Sequence, residues 1–404
     1  MTLIRLGTAS PATQPTKAAT LAAIAAIASR AAAQRIDILL LPEAYIGGYP
    51  RGTNFGARIG SRTEDGREEY ARYFDAAADL GDTVGEGSAG AGTKWLKRQL
   101  GEEDEVRGDG TREELERIAS ESGVFIVTGL VEKAGGTLYC SVVYVCPKQG
   151  MLGKRRKVMP TGTERLCWGQ GSPATLKAVS TTIRGVRINL AAAICWENYM
   201  PLLRQTLYSQ NINLYLAPTA DARDAWLSLM RTVGCEGRCF VVSSNMAVKG
   251  KSSSSDITER AVPVPRRRNS LMTEDGFEIA LPCAKPAAKS PTLVARRNSI
   301  IDENGNEIVL CKSAAPVPQV NGTSSAPQTK SNDWVCRGGS SIVSPLGDVL
   351  AGPQWEDDEG IIFADVDFRE CIRGRLDLDT AGSYSRNDSF KFSVAGLDLE
   401  PLPY

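Results

Sequence analysis

Histidine is absent from all 404 residues of this chain. That absence removes Ser-His-Asp hydrolases, Cys-His proteases and His-ligated metal centres from consideration, because each needs an imidazole as base or ligand. No stretch is apolar for about 18 residues, so no transmembrane helix is expected. The first ten residues lack the charged-then-apolar form of a secretory signal. Neither sign of charge is in excess: Lys+Arg and Asp+Glu are equal at 47 each, which gives nucleic-acid or membrane-surface binding no support. Paired cysteine spacing is missing as well. The ten cysteines are scattered, with Cys140, Cys146 and Cys167 in strand-like runs, as expected of reduced thiols in a cytoplasmic protein.

What is present suits a soluble globular protein. Hydrophobic residues make up 42% of the chain, enough at this length to bury a sizeable core. Short apolar runs at Ile36–Leu41, Val124–Val131, Ile188–Ile194, Ile212–Ala217 and Phe240–Ser243 predict buried strands. Helix-like stretches alternate with them at Thr16–Gln34, Arg112–Ser122, Met200–Ser209 and Asp224–Val233, the first packing through Leu21, Ile24 and Ile27. This alternation predicts an α/β layered fold with both sheet faces covered, and sites in such folds form at strand ends. From about 250 to 333 the composition shifts to Ser, Pro, Lys and Arg, which reads as a flexible low-complexity surface insertion interrupting a single domain over 1–404. The insertion repeats itself: Arg267-Arg268-Asn269-Ser270 and Arg296-Arg297-Asn298-Ser299 are each followed by an Asp-Gly or Asn-Gly turn signal, so each copy is expected to form a small hairpin. The two serines resemble basophilic kinase sites, although duplicated solubilising hairpins would carry the same residues. Strand patterning resumes after Trp334, at Gly338–Val349 and Gly360–Phe368.

Three segments could carry chemistry. Glu43 follows the apolar run Ile38-Leu39-Leu40-Leu41, where a carboxylate serves equally as a helix cap or a loop charge. Lys157 ends the run Lys154-Arg155-Arg156-Lys157. Basic runs ordinarily form a solvated face, and the motif alone does not say which charge turns inward. Cys195 ends an apolar run and, taken alone, reads as a packed thiol. Together they read differently. A cysteine at a strand end, immediately before Glu197 and Asn198, can sit on a tight turn whose next N–H stabilises an oxyanion. Without an imidazole its base must be a carboxylate or an amine.

Leu41-Pro42-Glu43, the run from Arg156 through Pro160-Thr161 to Glu164-Arg165, and Cys195-Trp196-Glu197-Asn198-Tyr199-Met200-Pro201 resemble the three signature segments of the nitrilase branch of the carbon–nitrogen hydrolase superfamily. Trp168-Gly169-Gln170-Gly171, Pro218-Thr219-Ala220-Asp221 and Arg337-Gly338-Gly339-Ser340 extend the likeness over nearly the whole chain outside the insertion. The resemblance implies an α-β-β-α sandwich, with Glu43 as base, Lys157 as cation, Cys195 as nucleophile and Glu164 as an additional glutamate positioning substrate or water. On composition alone Glu164 could equally pair with Arg165 or Arg156. Two places depart from the family: Arg155 and Ser383 stand where relatives commonly have histidine.

The implied activity is hydrolysis of a small organic nitrile to carboxylic acid and ammonia through a Cys195 thioimidate and thioester, with no metal and no organic cofactor. Release of the amide, as in nitrile- or cyanide-hydrating relatives, is the alternative, and a catalytically silent interaction protein of the same fold is the reading from another class. Trp196, Tyr49, Trp168 and Tyr199 are the expected substrate-binding residues, while Tyr45, Tyr49, Trp168, Tyr199 and Met200 read equally as pocket lining or as core. Relatives assemble into dimers and longer spirals, so a homo-oligomer is expected. Lys154 is expected to be dispensable where Lys157 is not.

Overall fold

In the computed structural model, which describes residues 2–81, 108–250 and 334–404 and the backbone of four short strands between 270 and 309, the apolar runs form two sheets. In chain order their strands are β1 (Ile4–Ala9), β2 (Ile38–Leu40), β3 (Phe125–Ala134), β4 (Thr137–Cys146), β5 (Gly150–Arg156), β6 (Val179–Ile183), β7 (Val186–Ala192), β8 (Leu214–Thr219), β9 (Phe240–Asn245), β10 (Ala247–Lys249), β11 (Trp334–Val343), β12 (Val349–Trp355) and β13 (Ile361–Val366). The first sheet runs β13-β1-β2-β3-β4-β5, with Ala78–Asp79 pairing onto β3, and the second runs β10-β11-β9-β8-β7-β6, with β12 pairing onto β11. Strands β1, β2 and β3 are mutually parallel, as are β7, β8 and β9. The other numbered strands pair antiparallel, whereas Ala78–Asp79 runs parallel to β3.

Alternation along the strands separates three core layers, because successive side chains point to opposite faces. Ile38 and Leu40 of the first sheet meet Leu190, Leu214, Leu216, Phe240 and Val242 of the second in an inter-sheet core. Leu39 and Ile126 face the other way, against Ile24, Ile27 and Ala28 of α1 (Lys17–Ala33) and Leu115 and Ile118 of α3 (Thr111–Ser122). On the far side Ala191, Tyr215 and Val241 pack against Leu203 and Leu207 of α4 (Pro201–Tyr208) and Met230 and Val233 of α5 (Ala225–Gly237). Helix, sheet, sheet and helix thus follow one another, and each fully buried Leu or Ile contributes roughly 2 kcal/mol. Thr16 caps α1, its side chain accepting from Ala19 N. Leu21 is half-buried on the same face as Ile24 and Ile27.

Two elements differ from the sequence reading. Helix α2 (Glu64–Ala76) has few aliphatic residues and is mostly charged, yet Tyr70, Tyr73 and Phe74 give it an aromatic stripe that packs onto the inter-sheet core. Strand β5 carries the basic run, which a solvated face would have placed outside; all four charges are buried. Cys140 and Cys146 lie in β4, but Cys167 follows a 3-10 turn, Gly162–Leu166, and is not in a strand. All eight cysteines among the described residues are free thiols.

The chain divides into two compact units, Met1–Lys251 with Asn332–Tyr404, and Ser252–Ser331. Within the second, Ser270–Met272 pairs antiparallel with Glu278–Ala280, and Ser299–Ile301 with Glu307–Val309, the hairpins that the duplicated turn signals predict. The arginines of the repeat and the flexibility expected of the insertion lie outside the described residues. On the first unit, Lys249 of β10 is the register partner of Trp334 of β11, so the insertion leaves and re-enters at neighbouring backbone positions. Among the described residues no helix is long and apolar enough to cross a membrane.

Candidate active site

Strand β5 decides where the charges go. Residues 154 and 156 share one face and both meet Glu132: Lys154 Nζ and Arg156 Nη2 reach its Oε1, Arg156 Nε donates to its Oε2 at 2.9 Å, and Ser141 Oγ donates to Oε2 at 2.7 Å. Arg155 and Lys157 take the other face, toward the second sheet. Lys154 is wholly buried in this cluster, so the solvated face that a basic run ordinarily forms is not where it lies. Burial and the neighbouring Arg156 push its pKa well below the ordinary lysine value.

Lys157 lies just past β5, its N–H donating to Cys140 O at 2.7 Å and its carbonyl accepting from Gly171 N at 2.8 Å. Its Nζ donates to Glu43 Oε1 and to Glu164 Oε2, each at 2.7 Å, with all three side chains buried. Glu43 follows β2, where Leu41 N still pairs with Val127 O and Gly129 N with Pro42 O. Gly129 has to be glycine: a Cβ there would lie 2.4 Å from Pro42 O and 2.7 Å from Glu43 Cα. Glu164 sits in the 3-10 turn Gly162–Leu166, and its carboxylate also accepts from Thr161 N at 2.7 Å and from the Tyr49 hydroxyl at 2.8 Å. The alternative partners for Glu164, Arg165 and Arg156, bond instead to Gly162 O and Glu132. Glu43 Oε2, by contrast, is buried with no hydrogen-bond partner among the described residues.

Cys195 opens the 3-10 turn Cys195–Tyr199, three residues past Ala192 at the end of β7. Its φ of 53° is left-handed, as is that of Ala44 (49°) beside Glu43. Such angles cost a non-glycine residue roughly 1 kcal/mol or more and persist where surrounding bonds over-determine them. Here Asn198 supplies those bonds, donating to Ala193 O at 3.0 Å and Cys195 O at 2.7 Å while accepting from Tyr215 OH at 2.8 Å. Trp196 lies in the first turn of this 3-10 element, where backbone N–H groups have no intrahelical acceptor.

The electrostatics follow from burial. Desolvation raises the Glu43 pKa above the ordinary carboxylate value, with Lys157 opposing the rise and Glu164 adding to it. Burial and then Glu43 raise the Cys195 thiol far above the usual cysteine range, which Lys157 and a Thr219 hydrogen bond offset only in part. Burial disfavours charge on Lys157, but Glu43, Cys195, Cys140 and Glu164 outweigh it and hold its pKa well above the ordinary lysine value. At neutral pH the arrangement is a thiol beside an ammonium wedged between two carboxyl groups. It can form a thiolate only as a base removes the proton. Among the described residues no group of acidic or thiol side chains is arranged to hold a metal ion.

The proposed pocket residues divide. Tyr49 and Trp168 meet edge to face at 5.7 Å between ring centroids, Trp168 lies 5.6 Å from Lys157 Nζ, and a cavity of about 130 Å³ lined by Tyr49, Arg51, Thr53, Phe55 and Thr163 opens onto Glu164. Trp196 and Tyr199 form an exposed group with Arg223, whose guanidinium stacks 4.5 Å over the Trp196 ring while Trp196 Nε1 donates to Asp221 at 3.0 Å. Tyr45 is fully buried in the helix-side core with Ile24, Ile27 and Ala28 of α1, just after the left-handed Ala44. Met200 is exposed. Ser383 is exposed in a separate turn, whereas Arg155 is buried. Glu197 and Tyr144 were not singled out by sequence reasoning; only the position of Glu197 within its motif could have flagged it.

Residues 3–375 match the carbon–nitrogen hydrolase family. The chain belongs to that family. It is 34% identical over 371 residues to a nitrilase of Bradyrhizobium diazoefficiens, covering 92% of this chain and 85% of that protein. It is 32% identical over 379 residues to a bifunctional nitrilase/nitrile hydratase of Lupinus angustifolius, covering 93% and 81%. A crystal structure of a carbon–nitrogen hydrolase superfamily protein from Xanthomonas campestris, bearing an arsenic adduct in its active site, matches with a TM-score of 0.55 at 12% identity over 98% of this chain and 100% of that one. The fold is therefore the α-β-β-α sandwich of this family, and the protein is a nitrilase-type hydrolase acting on carbon–nitrogen bonds.

Proposed function

We propose that this hydrolase converts an organic nitrile to a carboxylic acid and ammonia, with Cys195 as nucleophile, Glu43 as general base, and Lys157 and Glu164 as the charged frame. The observation that carries the reading is the buried Glu43 Oε2, without a hydrogen-bond partner among the described residues, in a site whose Cys195 thiol burial keeps protonated. As sulfur attacks the nitrile carbon, Glu43 takes the thiol proton and passes it to the nitrile nitrogen, giving a thioimidate and restoring the carboxylate. Lys157 and the Trp196 N–H stabilise the charge developing there. Water adds to give a tetrahedral carbon bearing S, OH and NH2. Protonation of nitrogen expels ammonia and leaves a thioester, and a second water releases the acid and restores the thiol.

Departure of sulfur from the same tetrahedral carbon gives the amide instead, and the likeness to a bifunctional nitrilase/nitrile hydratase favours some amide release here. The expected substrate is a small-molecule nitrile, the expected assembly a homo-oligomer, and the expected compartment the reducing cytoplasm, which the free thiols support. Turnover of a panel of aliphatic, aryl and arylacetonitrile substrates, with acid, amide and ammonia quantified, tests the activity. No release from any nitrile by folded protein would leave the silent interaction protein as the better reading. Light scattering giving a concentration-independent mass of 43.4 kDa would contradict the oligomer.

A further inference from the structure

Lys157 and Cys195 stand at strand ends of different sheets, so something has to hold them in register. One carboxylate does so. Glu197 Oε2 accepts from Ile194 N at 2.8 Å, one residue before Cys195, and Oε1 accepts from Val158 N at 2.6 Å, one residue after Lys157. Arg155 closes the bridge with two parallel bonds, Nη1 to Oε2 at 2.6 Å and Nη2 to Oε1 at 2.7 Å. Its nitrogens also donate to Ala192 O at 2.9 Å on β7 and to Arg156 O at 3.1 Å on its own strand. Ala192 N in turn donates to the Tyr144 hydroxyl of β4 at 3.0 Å. The pair is 1% and 0% exposed.

Such a pair is poorly suited to a purely stabilising role. Buried ion pairs roughly cancel their own desolvation, and apolar residues of similar volume are often as good or better. Arg155 Nε is moreover buried with no partner among the described residues, a further cost. The pair Lys154–Glu132, on the opposite face of the same strand, is equally buried yet ties β5 only to β3 within one sheet. Arg155–Glu197 instead spans from the Lys157 segment to the Cys195 turn.

We propose that Arg155 and Glu197 are positioning residues, a buried clamp that fixes Lys157 against Cys195 and thereby sets how the tetrahedral intermediate divides between acid and amide. The inference rests on the nitrile-hydrolysing reading above. Ammonia leaves only when an acid held within hydrogen-bond reach protonates the nitrogen. If that reach is lost, the C–S bond breaks instead, sulfur leaves as thiolate and recovers a proton, and the product is the amide. A looser clamp therefore shifts the products toward amide.

The test compares wild type with Glu197→Gln, Arg155→Lys, Arg155→Met and the control Lys154→Met, measuring kcat, KM, the acid-to-amide ratio and the rate of Cys195 alkylation by iodoacetamide, read by mass spectrometry. Glu197→Gln removes a negative charge and Arg155→Met a positive one, so a simple field effect moves thiol alkylation in opposite directions. Loss of positioning slows it in both, by about tenfold or more, with kcat down roughly a hundredfold, KM within about threefold and the amide fraction raised. Arg155→Lys keeps the charge without the two-pronged geometry and should fall between. Lys154→Met should melt earlier but keep the wild-type product ratio and alkylation rate. Opposite alkylation shifts in the two charge variants, an unchanged product ratio in folded Glu197→Gln, or an equal ratio change in Lys154→Met would each overturn the proposal. Wild-type protein that turns over no nitrile, yet shows slowed alkylation in both charge variants, would sink the substrate reading while keeping the clamp.

Discussion

Gly129→Ala tests how tightly the sandwich fixes Glu43. Gly129 lies in β3, where a Cβ would sit 2.4 Å from Pro42 O, 2.6 Å from Ala44 N and 2.7 Å from Glu43 Cα. All three are backbone atoms, so no side chain can swing aside. Restoring the nearest to an ordinary contact of 3.4 Å moves the Pro42-Glu43-Ala44 segment about 1 Å away from β3. Glu43 would then lose its 2.7 Å bond to Lys157 Nζ or drag Lys157 with it. Misplacement of a reacting group by about 1 Å costs on the order of a hundredfold in rate. The expected outcome is a kcat reduced roughly a hundredfold with KM little changed and a melting temperature lowered by several degrees, read by initial-rate ammonia release and calorimetry. A folded Gly129→Ala variant with wild-type kcat would refute the claim that the β3 backbone presses Glu43 into place.

Other consequences are as direct. Because Lys154 is wholly buried against Glu132, which Arg156 and Ser141 also hold, Lys154→Ala should destabilise the fold by about 2–4 kcal/mol in urea titration while the folded fraction keeps its kcat. The acid limb of kcat/KM should lie above pH 4.5, since the Glu43 pKa is raised and the base is lost as pH falls through that raised value; a midpoint at or below 4.5 would contradict the role of burial. With Lys157 held above its ordinary value, activity should persist toward alkaline pH until well past neutrality. Replacing residues 252–331 with a short Gly-Ser linker should leave nitrile turnover unchanged, because Lys249 and Trp334 are already register partners; loss of activity in a folded deletion would show that the insertion serves the site.

Much of the sandwich is legible because its inner strands are apolar on both faces. The runs around Leu39, Ile126, Leu190, Leu216 and Val241 read as strands, and the residues just beyond them, Glu43 and Cys195, fall at strand ends as such folds require. Strand β5 is not legible that way. Its charges resemble a solvated face, and their partners Glu132, Glu197 and Glu43 lie 22, 42 and 114 residues away in the chain. No local pattern carries that pairing. Helix α2 escaped for a related reason: its one buried face is aromatic and the rest charged. For Tyr45 the sequence leaves pocket and core equally open, and its place in the helix-side core decides between them.

The most direct test of the account traps the covalent intermediate. Enzyme quenched in acid during steady turnover of a slow nitrile, digested and analysed by mass spectrometry, should carry the acyl or imidoyl mass of the substrate on the peptide containing Cys195, and Cys195→Ala should carry none and release no ammonia. Turnover that continues in folded Cys195→Ala, or a substrate adduct on a different residue, would contradict a histidine-free mechanism in which Glu43 activates Cys195.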